Sequence, residues 1–207
     1  GVIAGNVDLD GDGLLDVVVA STYPSASAIR TYDHFGTLLY TIPLTISLAT
    51  FHATVLDMIG FDDLDGDGCS EFLVGGVDGA SGVTRGFVAV ISGRTGSVLR
   101  TSFDEVRGDL IGMPLAIVGD MDRDGVRDYA TSNYWGGSGR GEVILVYSGA
   151  TGAIIRRWIR QGYDFATALI GGMDADLDGF PDVIAGSFSY VNPGPVGRGR
   201  AQVFSAR

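Results

Sequence analysis

Short apolar runs bounded by Gly and Asp recur along the chain in a fixed order. The first set is Val2-Ile3-Ala4, Thr54-Val55-Leu56, Leu115-Ala116-Ile117-Val118 and Ala168-Leu169-Ile170. The second is Val17-Val18-Val19-Ala20, Phe72-Leu73-Val74, Tyr129-Ala130 and Val183-Ile184-Ala185. Runs this short between turn formers read as strands, since a helix needs roughly 10–12 periodic residues. A third run alternates, as in Gly86-Phe87-Val88-Ala89-Val90-Ile91 and Gly141-Glu142-Val143-Ile144-Leu145-Val146-Tyr147. A Ser-Gly-x-Thr-Gly turn follows (Ser92–Gly96 and Ser148–Gly152), then a fourth run, Ser97–Arg100 and Ala153–Arg156. In the first unit the turn is Asp33-His34-Phe35-Gly36 and the fourth run Leu38-Leu39-Tyr40, whereas the last unit reaches Ser205-Ala206-Arg207 with neither. The pattern predicts an all-β chain of 15 strands in four units, approximately 1–50, 51–110, 111–164 and 165–207. Repeated four-stranded antiparallel sheets of roughly 50 residues are the signature of β-propeller blades, here with the fourth blade short of its outer strand.

Between the first and second runs of every unit stands the same nine-residue pattern, Asp-x-Asp-x-Asp-Gly-x-x-acid. The copies are Asp8, Asp10, Asp12, Gly13, Asp16; Asp63, Asp65, Asp67, Gly68, Glu71; Asp120, Asp122, Asp124, Gly125, Asp128; and Asp174, Asp176, Asp178, Gly179, Asp182. Carboxylates at positions 1, 3 and 5 converge on one point only if the loop curls tightly, and Gly at position 6 permits the positive φ that curling needs. Four side chains and one backbone carbonyl supply five oxygens, leaving one or two places for water around a Ca²⁺ ion, which takes 6–8 oxygens. Mg²⁺ suits this flexible, acid-rich cage less well. Glu71 carries one methylene more than its counterparts, so the second site is expected to be weaker or to differ in denticity. An isolated Asp/Gly cluster would read as a solvated turn; four complete copies in register point to metal instead. The EF-hand shares the opening but needs an acid at position 12 and flanking helices. That position holds Val19, Val74, Thr131 and Ala185, and strands flank the loops.

Charge agrees with this reading. The formal net charge is −11, yet sixteen of the 25 acids lie in the loops, leaving nine against 14 arginines and a positive surplus of five elsewhere. Four divalent ions would bring the total from −11 to −3. The acidity therefore reports metal sites, and nucleic acid is excluded as an expected partner.

The repeats resemble the FG-GAP repeats of the integrin α-subunit propeller family and its bacterial secreted relatives, over essentially the whole chain. Phe51-His52-Ala53-Thr54 and Phe165-Ala166-Thr167-Ala168 stand where that family has its Phe-Gly opening, without the Gly. The calcium loop is the stronger match. The resemblance implies side-chain ligands at positions 1, 3, 5 and 9 and backbone carbonyl ligands at position 7, here Leu14, Cys69, Val126 and Phe180. It also implies a ligand face opposite the calcium loops, built by the connections between strands two and three and between successive blades. Family propellers usually have seven blades, so a four-bladed ring, part of a larger ring, and a half that pairs with a second copy all stay open.

Tyr23, Tyr134, Trp135 and Tyr190, with Arg140, Arg198 and Arg200 nearby, fall in the connections between strands two and three. They are candidate anchors for a protein or glycan ligand, or rings packed between blades. Trp158 reads as structural, and Arg107-Gly108-Asp109 matches a tripeptide that integrins recognise on their ligands. His34 and His52 pair with no recognisable nucleophile, there is no Gly-x-Ser-x-Gly elbow, and Gly136–Gly141 leads into a strand, so an enzyme is not expected. No apolar run approaches the 18 residues of a membrane span. Lone Cys69 forms no internal disulfide. The chain has no Met start and no signal peptide, read as a removed leader or an internal beginning. Calcium loops of this open kind suit the millimolar ion outside cells, so the address expected is extracellular or the cell surface. The function expected is a calcium-binding adhesion or binding module, with a polysaccharide-degrading propeller and a unit self-associating through its incomplete fourth blade as alternatives.

Overall fold

Along Asp16–Ser21 the residues Asp16, Val18 and Ala20 are buried while Val17 and Val19 turn to the opposite face, the period of two that an extended backbone imposes. The same logic operates in all four units. The computed structural model describes residues 1–21, 28–43, 53–78, 85–103, 110–133, 142–160, 166–187 and 199–205. Within them lie 15 strands: β1 (Val2–Val7), β2 (Asp16–Ser21), β3 (Ala28–Tyr32), β4 (Leu38–Pro43), β5 (Ala53–Gly60), β6 (Phe72–Asp78), β7 (Arg85–Ile91), β8 (Val98–Phe103), β9 (Ile111–Gly119), β10 (Asp128–Asn133), β11 (Glu142–Tyr147), β12 (Ile154–Arg160), β13 (Ala168–Met173), β14 (Asp182–Ser187) and β15 (Arg200–Phe204). Consecutive strands pair antiparallel into sheets β1-β2-β3-β4, β5-β6-β7-β8, β9-β10-β11-β12 and β13-β14-β15. These are the expected all-β propeller blades, the fourth with three strands among the described residues. No helix among the described residues is long and apolar enough to cross a membrane.

The inner strands follow one another side by side, β1 against β5, β5 against β9 and β9 against β13. Three apolar cores fill the spaces between neighbouring sheets. Val18, Ala20 and Ile29 meet Phe72, Val74 and Phe87 in the first. Leu73, Val88 and Val90 meet Tyr129, Leu145 and Tyr147 in the second, where the two tyrosine rings stack at 5.3 Å. Ala116, Val118, Ile144 and Val146 meet Val183 and Ala185 in the third. Trp158 packs against this core and lies 5.4 Å from the Phe204 ring, the structural role its sequence position implied. A closed ring of four blades would need a fourth core, between the sheets of β13 and β1; the described residues form three.

The Ser-Gly-x-Thr-Gly turn has a second purpose beyond reversing the chain. Ser92 Oγ and Ser148 Oγ accept from the amides of Thr95 and Thr151 at 3.3 and 3.2 Å, and Asp33 replaces the serine in the first blade by accepting from Phe35 and Thr37. The glycine after each serine lies against the metal-loop end of its own sheet: a Cβ on Gly93 would stand 1.8 Å from the Ser70 carbonyl oxygen, and one on Gly149 1.9 Å from that of Arg127. The outer strand of the preceding blade then closes over the turn. Tyr40 donates its hydroxyl to the Gly93 carbonyl at 2.5 Å, and Arg100 donates to the carbonyls of Gly149 and Ala150 at 2.9 and 2.7 Å. Gly149→Ala is therefore expected to lower stability by about 1–3 kcal/mol, the usual cost of overpacking. Gly186→Ala, whose new methyl would meet Ala168 Cβ at an ordinary 3.6 Å, should cost far less. Urea unfolding of the two variants checks the contrast.

Candidate metal centres

Each acidic loop joins the first strand of its sheet to the second, so one strand delivers position 1 and the next receives position 9. The position 1 carboxylate organises the bend. Asp8 accepts from the amides of Gly11 and Gly13, both at 2.8 Å; Asp63, Asp120 and Asp174 each accept from the position 6 glycine at 3.0, 2.9 and 2.8 Å. Those glycines, Gly13, Gly68, Gly125 and Gly179, all have the expected positive φ, between 84° and 92°. Position 4 is left-handed as well, which the sequence pattern did not reveal: Gly11 and Gly66 adopt it freely, but Arg123 and Leu177 are held at φ 63° and 62°.

The acid at position 9 is divided between two tasks. One oxygen latches the loop by accepting from the position 2 amide: Leu9 to Asp16 at 2.8 Å, Leu64 to Glu71 at 2.6 Å, Met121 to Asp128 at 2.6 Å and Ala175 to Asp182 at 2.8 Å. All four side chains are almost fully buried. In three of them the second oxygen (Asp16 Oδ1, Glu71 Oε1, Asp182 Oδ1) is enclosed without a hydrogen-bond partner. A buried carboxylate oxygen left bare costs several kcal/mol, roughly, unless a cation or donor meets it. In the third loop Asp128 Oδ1 accepts from Gly149 at 2.9 Å.

The position 9 carboxylates sit among acidic neighbours. Asp8, Asp10 and Asp16; Asp63, Asp65 and Glu71; Asp120, Asp122 and Asp128; and Asp174, Asp176 and Asp182 form four groups whose ligand atoms lie within 4.8 Å of one another. Four acidic clusters able to hold a metal ion are thus built from positions 1, 3 and 9. The longer Glu71 side chain joins its cluster like the aspartates. Position 5 stands outside these groups: Asp12, Asp67, Asp124 and Asp178 accept at 2.8–2.9 Å from the amides of Leu14, Cys69, Val126 and Phe180, the position 7 residues. Their other oxygens reach outward, Asp12 to His34 Nδ1 at 3.3 Å, Asp67 to Arg94 Nε at 3.3 Å and Asp124 to Ser148 Oγ at 3.2 Å. His34 and Arg94 had not been read from the sequence as neighbours of the loops.

Electrostatics record the crowding. Burial pushes the Asp16 and Asp128 carboxyls above the usual range, and the nearby loop aspartates push the same way. For Glu71, burial foremost and then Asp65, Asp63 and Asp67 raise the carboxyl to about 7. The loops are also linked in series. Ser70 donates its amide to the Asp8 carbonyl at 2.7 Å, Arg127 forks onto Asp62 beside the second loop, and Arg123 donates to the Gly179 carbonyl at 3.1 Å with its guanidinium 3.9 Å from the Phe180 ring centroid.

Tyr23, Tyr134, Trp135, Arg140, Arg198, Tyr190, His52 and Arg107-Gly108-Asp109 lie outside the described residues. The described strand ends from which those connections leave, such as Ser21, Ala28 and Pro43, are at the sheet end opposite the acidic loops.

Comparison with known proteins places the chain. The family model for the FG-GAP-like repeat matches residues 8–74. Integrin alpha-IIb of Homo sapiens is 34% identical over 84 residues, 37% of this chain and 8% of that protein. Integrin alpha-PS2 of Drosophila melanogaster is 28% identical over 152 residues, 61% of this chain and 11% of that protein. The chain thus spans about a tenth of the length of these relatives. Among solved structures, the rhamnogalacturonan lyase YesW superposes with a TM-score of 0.55 over 87% of this chain and 40% of that one, at 17% identity.

Glu71 makes the second cluster proton-linked. Its carboxyl is raised in the fold from the ordinary 4.5 to about 7, so its stabilising contribution to the metal-free fold is full below pH 4.5 and lost as pH rises through 7. A cation competes with that proton. One site should lose divalent-cation affinity by about tenfold per pH unit below neutrality, and Glu71→Gln should abolish that dependence in this window. Calcium titrations across the pH range check both.

Proposed function

On the match of residues 8–74 to the FG-GAP-like repeat, we propose that the chain is a calcium-stabilised, extracellular binding module, in which four Ca²⁺ ions pin adjacent strands while the opposite face takes a protein or glycan ligand. The carrying observation is the buried, unpartnered oxygen of Asp16, Glu71 and Asp182, three residues whose carboxylates are each clustered with two further carboxylates. An all-oxygen donor set on a flexible loop suits Ca²⁺ better than the smaller, stricter Mg²⁺. The carbonyls of Leu14, Cys69, Val126 and Phe180 and the carboxylates of Asp12, Asp67, Asp124 and Asp178 complete the shell proposed.

Magnitudes favour a structural role for the ion. Carboxylates about 4 Å apart repel by ~4 kcal/mol per pair at an effective dielectric of 20, so a bare bend resists closure. At a free ion concentration a hundredfold above Kd, each site adds about 2.7 kcal/mol, and four independent sites ~11, comparable to the whole stability of an ordinary domain. Binding is favoured over catalysis by the acids outside the loops: among the described side chains, Asp33 caps its own turn, Asp57 accepts from Leu115 and Met58, and Asp62 is paired with Arg127. The polysaccharide-degrading alternative has only a likeness of fold behind it.

Excess EGTA should lower the melting temperature steeply, with recovery on adding calcium; a melt indifferent to the chelator would refute the ion's role. For the ligand face, glycan and protein arrays probed with calcium present should yield a binder whose capture is lost in Trp135→Ala at an unchanged melting temperature. Equal capture by the variant would remove Trp135 from the site.

A further inference from the structure

The second and third blades are each packed between two neighbours, yet their acidic loops, alike in spacing, are closed by different means. In the third, the turn behind the loop reaches it twice. Ser148 donates its hydroxyl to Asp124 Oδ2 at 3.2 Å, and the Gly149 amide donates to Asp128 Oδ1 at 2.9 Å. Since Met121 donates its amide to Asp128 Oδ2 at 2.6 Å, both oxygens of this fully buried carboxylate are met by backbone N–H groups. Two amides on one carboxylate satisfy its charge without an ion.

The second blade has the same glycine in the same place. A Cβ on Gly93 would stand 1.8 Å from the Ser70 carbonyl oxygen, as one on Gly149 would stand 1.9 Å from that of Arg127. The acid is what differs. Glu71 is one methylene longer, its Oε2 accepts from Leu64 at 2.6 Å, and its Oε1 is enclosed without a partner. Position 5 is also held by other means, Asp67 pairing with Arg94 Nε at 3.3 Å instead of a hydroxyl. Ser70, beside Glu71, donates its amide to the Asp8 carbonyl at 2.7 Å, which ties the second loop to the first. There Asp16 Oδ1 is likewise without a partner, and His34 follows Asp33 where the later turns have glycine.

We propose that the third loop closes on its own turn without a cation, whereas the second closes only around one and carries the first with it, so that calcium loss opens two bends and leaves the third latched. The methylene that separates Glu71 from Asp128 is the determinant. Calcium still fits the third cluster, because a carboxylate oxygen that accepts one N–H keeps a second lone pair. This division rests on the calcium reading above and adds to it which bends the ion controls.

The test is the melting temperature of the full chain at about pH 8, where free carboxyl groups are ionised, in excess calcium and in excess EGTA. Asp128→Asn has one acceptor for two amides, so it should melt about 5 °C below the wild type in EGTA as well as in calcium. Glu71→Gln removes a ligand but also an uncompensated charge, so it should melt below the wild type in calcium and above it in EGTA. Glu71→Asp should bring a carboxylate oxygen to the Gly93 amide and raise the EGTA melt, whereas a side chain that only fills space would lower it on losing a buried methylene. Hydrogen exchange in EGTA below the melt should leave the Met121 and Gly149 amides protected as in calcium and speed exchange at Leu64 and Ser70 by about tenfold or more. An EGTA melt that Asp128→Asn leaves unchanged, one that Glu71→Gln or Glu71→Asp lowers, equal exchange in both loops, or a chelated chain with no folded state would each overturn the proposal. A melt indifferent to the chelator would instead overturn the calcium reading beneath it.

Discussion

Everything in this molecule turns on what happens to the carboxylate at the start of the second strand of each blade, Asp16, Asp128 and Asp182 as its first residue and Glu71 just before it. It is buried to the point of exclusion from water, yet one of its oxygens is consumed in holding the loop's second amide. In three of the four blades the other oxygen has no hydrogen-bond partner, and in every blade the carboxylate is clustered with two more acids. Such an arrangement is costly in isolation and coherent around a divalent cation, because the latch that fixes the loop also holds the carboxylate beside the others. Loop, strand start and ion site are in this sense one feature. The Ser-Gly-x-Thr-Gly turn backs that feature from behind, and the preceding blade's Tyr40 or Arg100 holds the turn in place.

Consequences propagate along the blade series. Since the loops touch through Ser70 and Asp8, Arg127 and Asp62, and Arg123 and Gly179, the electrostatic state of one bend bears on the next. The loop end of the molecule is thereby tied together from blade to blade, while the connections between strands two and three and between blades leave from the opposite end. Loops carried at one end of a repeated scaffold are where repeat folds generally host recognition.

Much of this was legible in the sequence for simple reasons. Loop spacing marks the repeat, strict acid placement marks the clusters, and short alternating runs mark fifteen strands, the number found among the described residues. Hydrophobicity failed where polar groups are satisfied internally. The run Tyr129-Ala130 lies in a six-residue strand whose Thr131, Ser132 and Asn133 are buried, because Thr131 accepts from the Gly112 amide, Ser132 donates to the Ala166 carbonyl and Asn133 accepts from the Val143 amide. The left-handed Arg123 and Leu177 were equally hidden, since neither residue type signals that conformation. Position 5 illustrates a different limit. Motif spacing treats all four acids alike, whereas the backbone holds this one with the position 7 amide and offers its other oxygen to His34, Arg94 or Ser148 across the chain.

The most direct measurement is anomalous diffraction from crystals grown in calcium. The account predicts four anomalous peaks per chain, each about 2.3–2.6 Å from oxygens of positions 1, 3 and 9, with the once-bare oxygens of Asp16, Glu71 and Asp182 among the ligands. Peaks absent from the bends, with those oxygens bonded to water and the neighbouring aspartates turned to solvent, would contradict it.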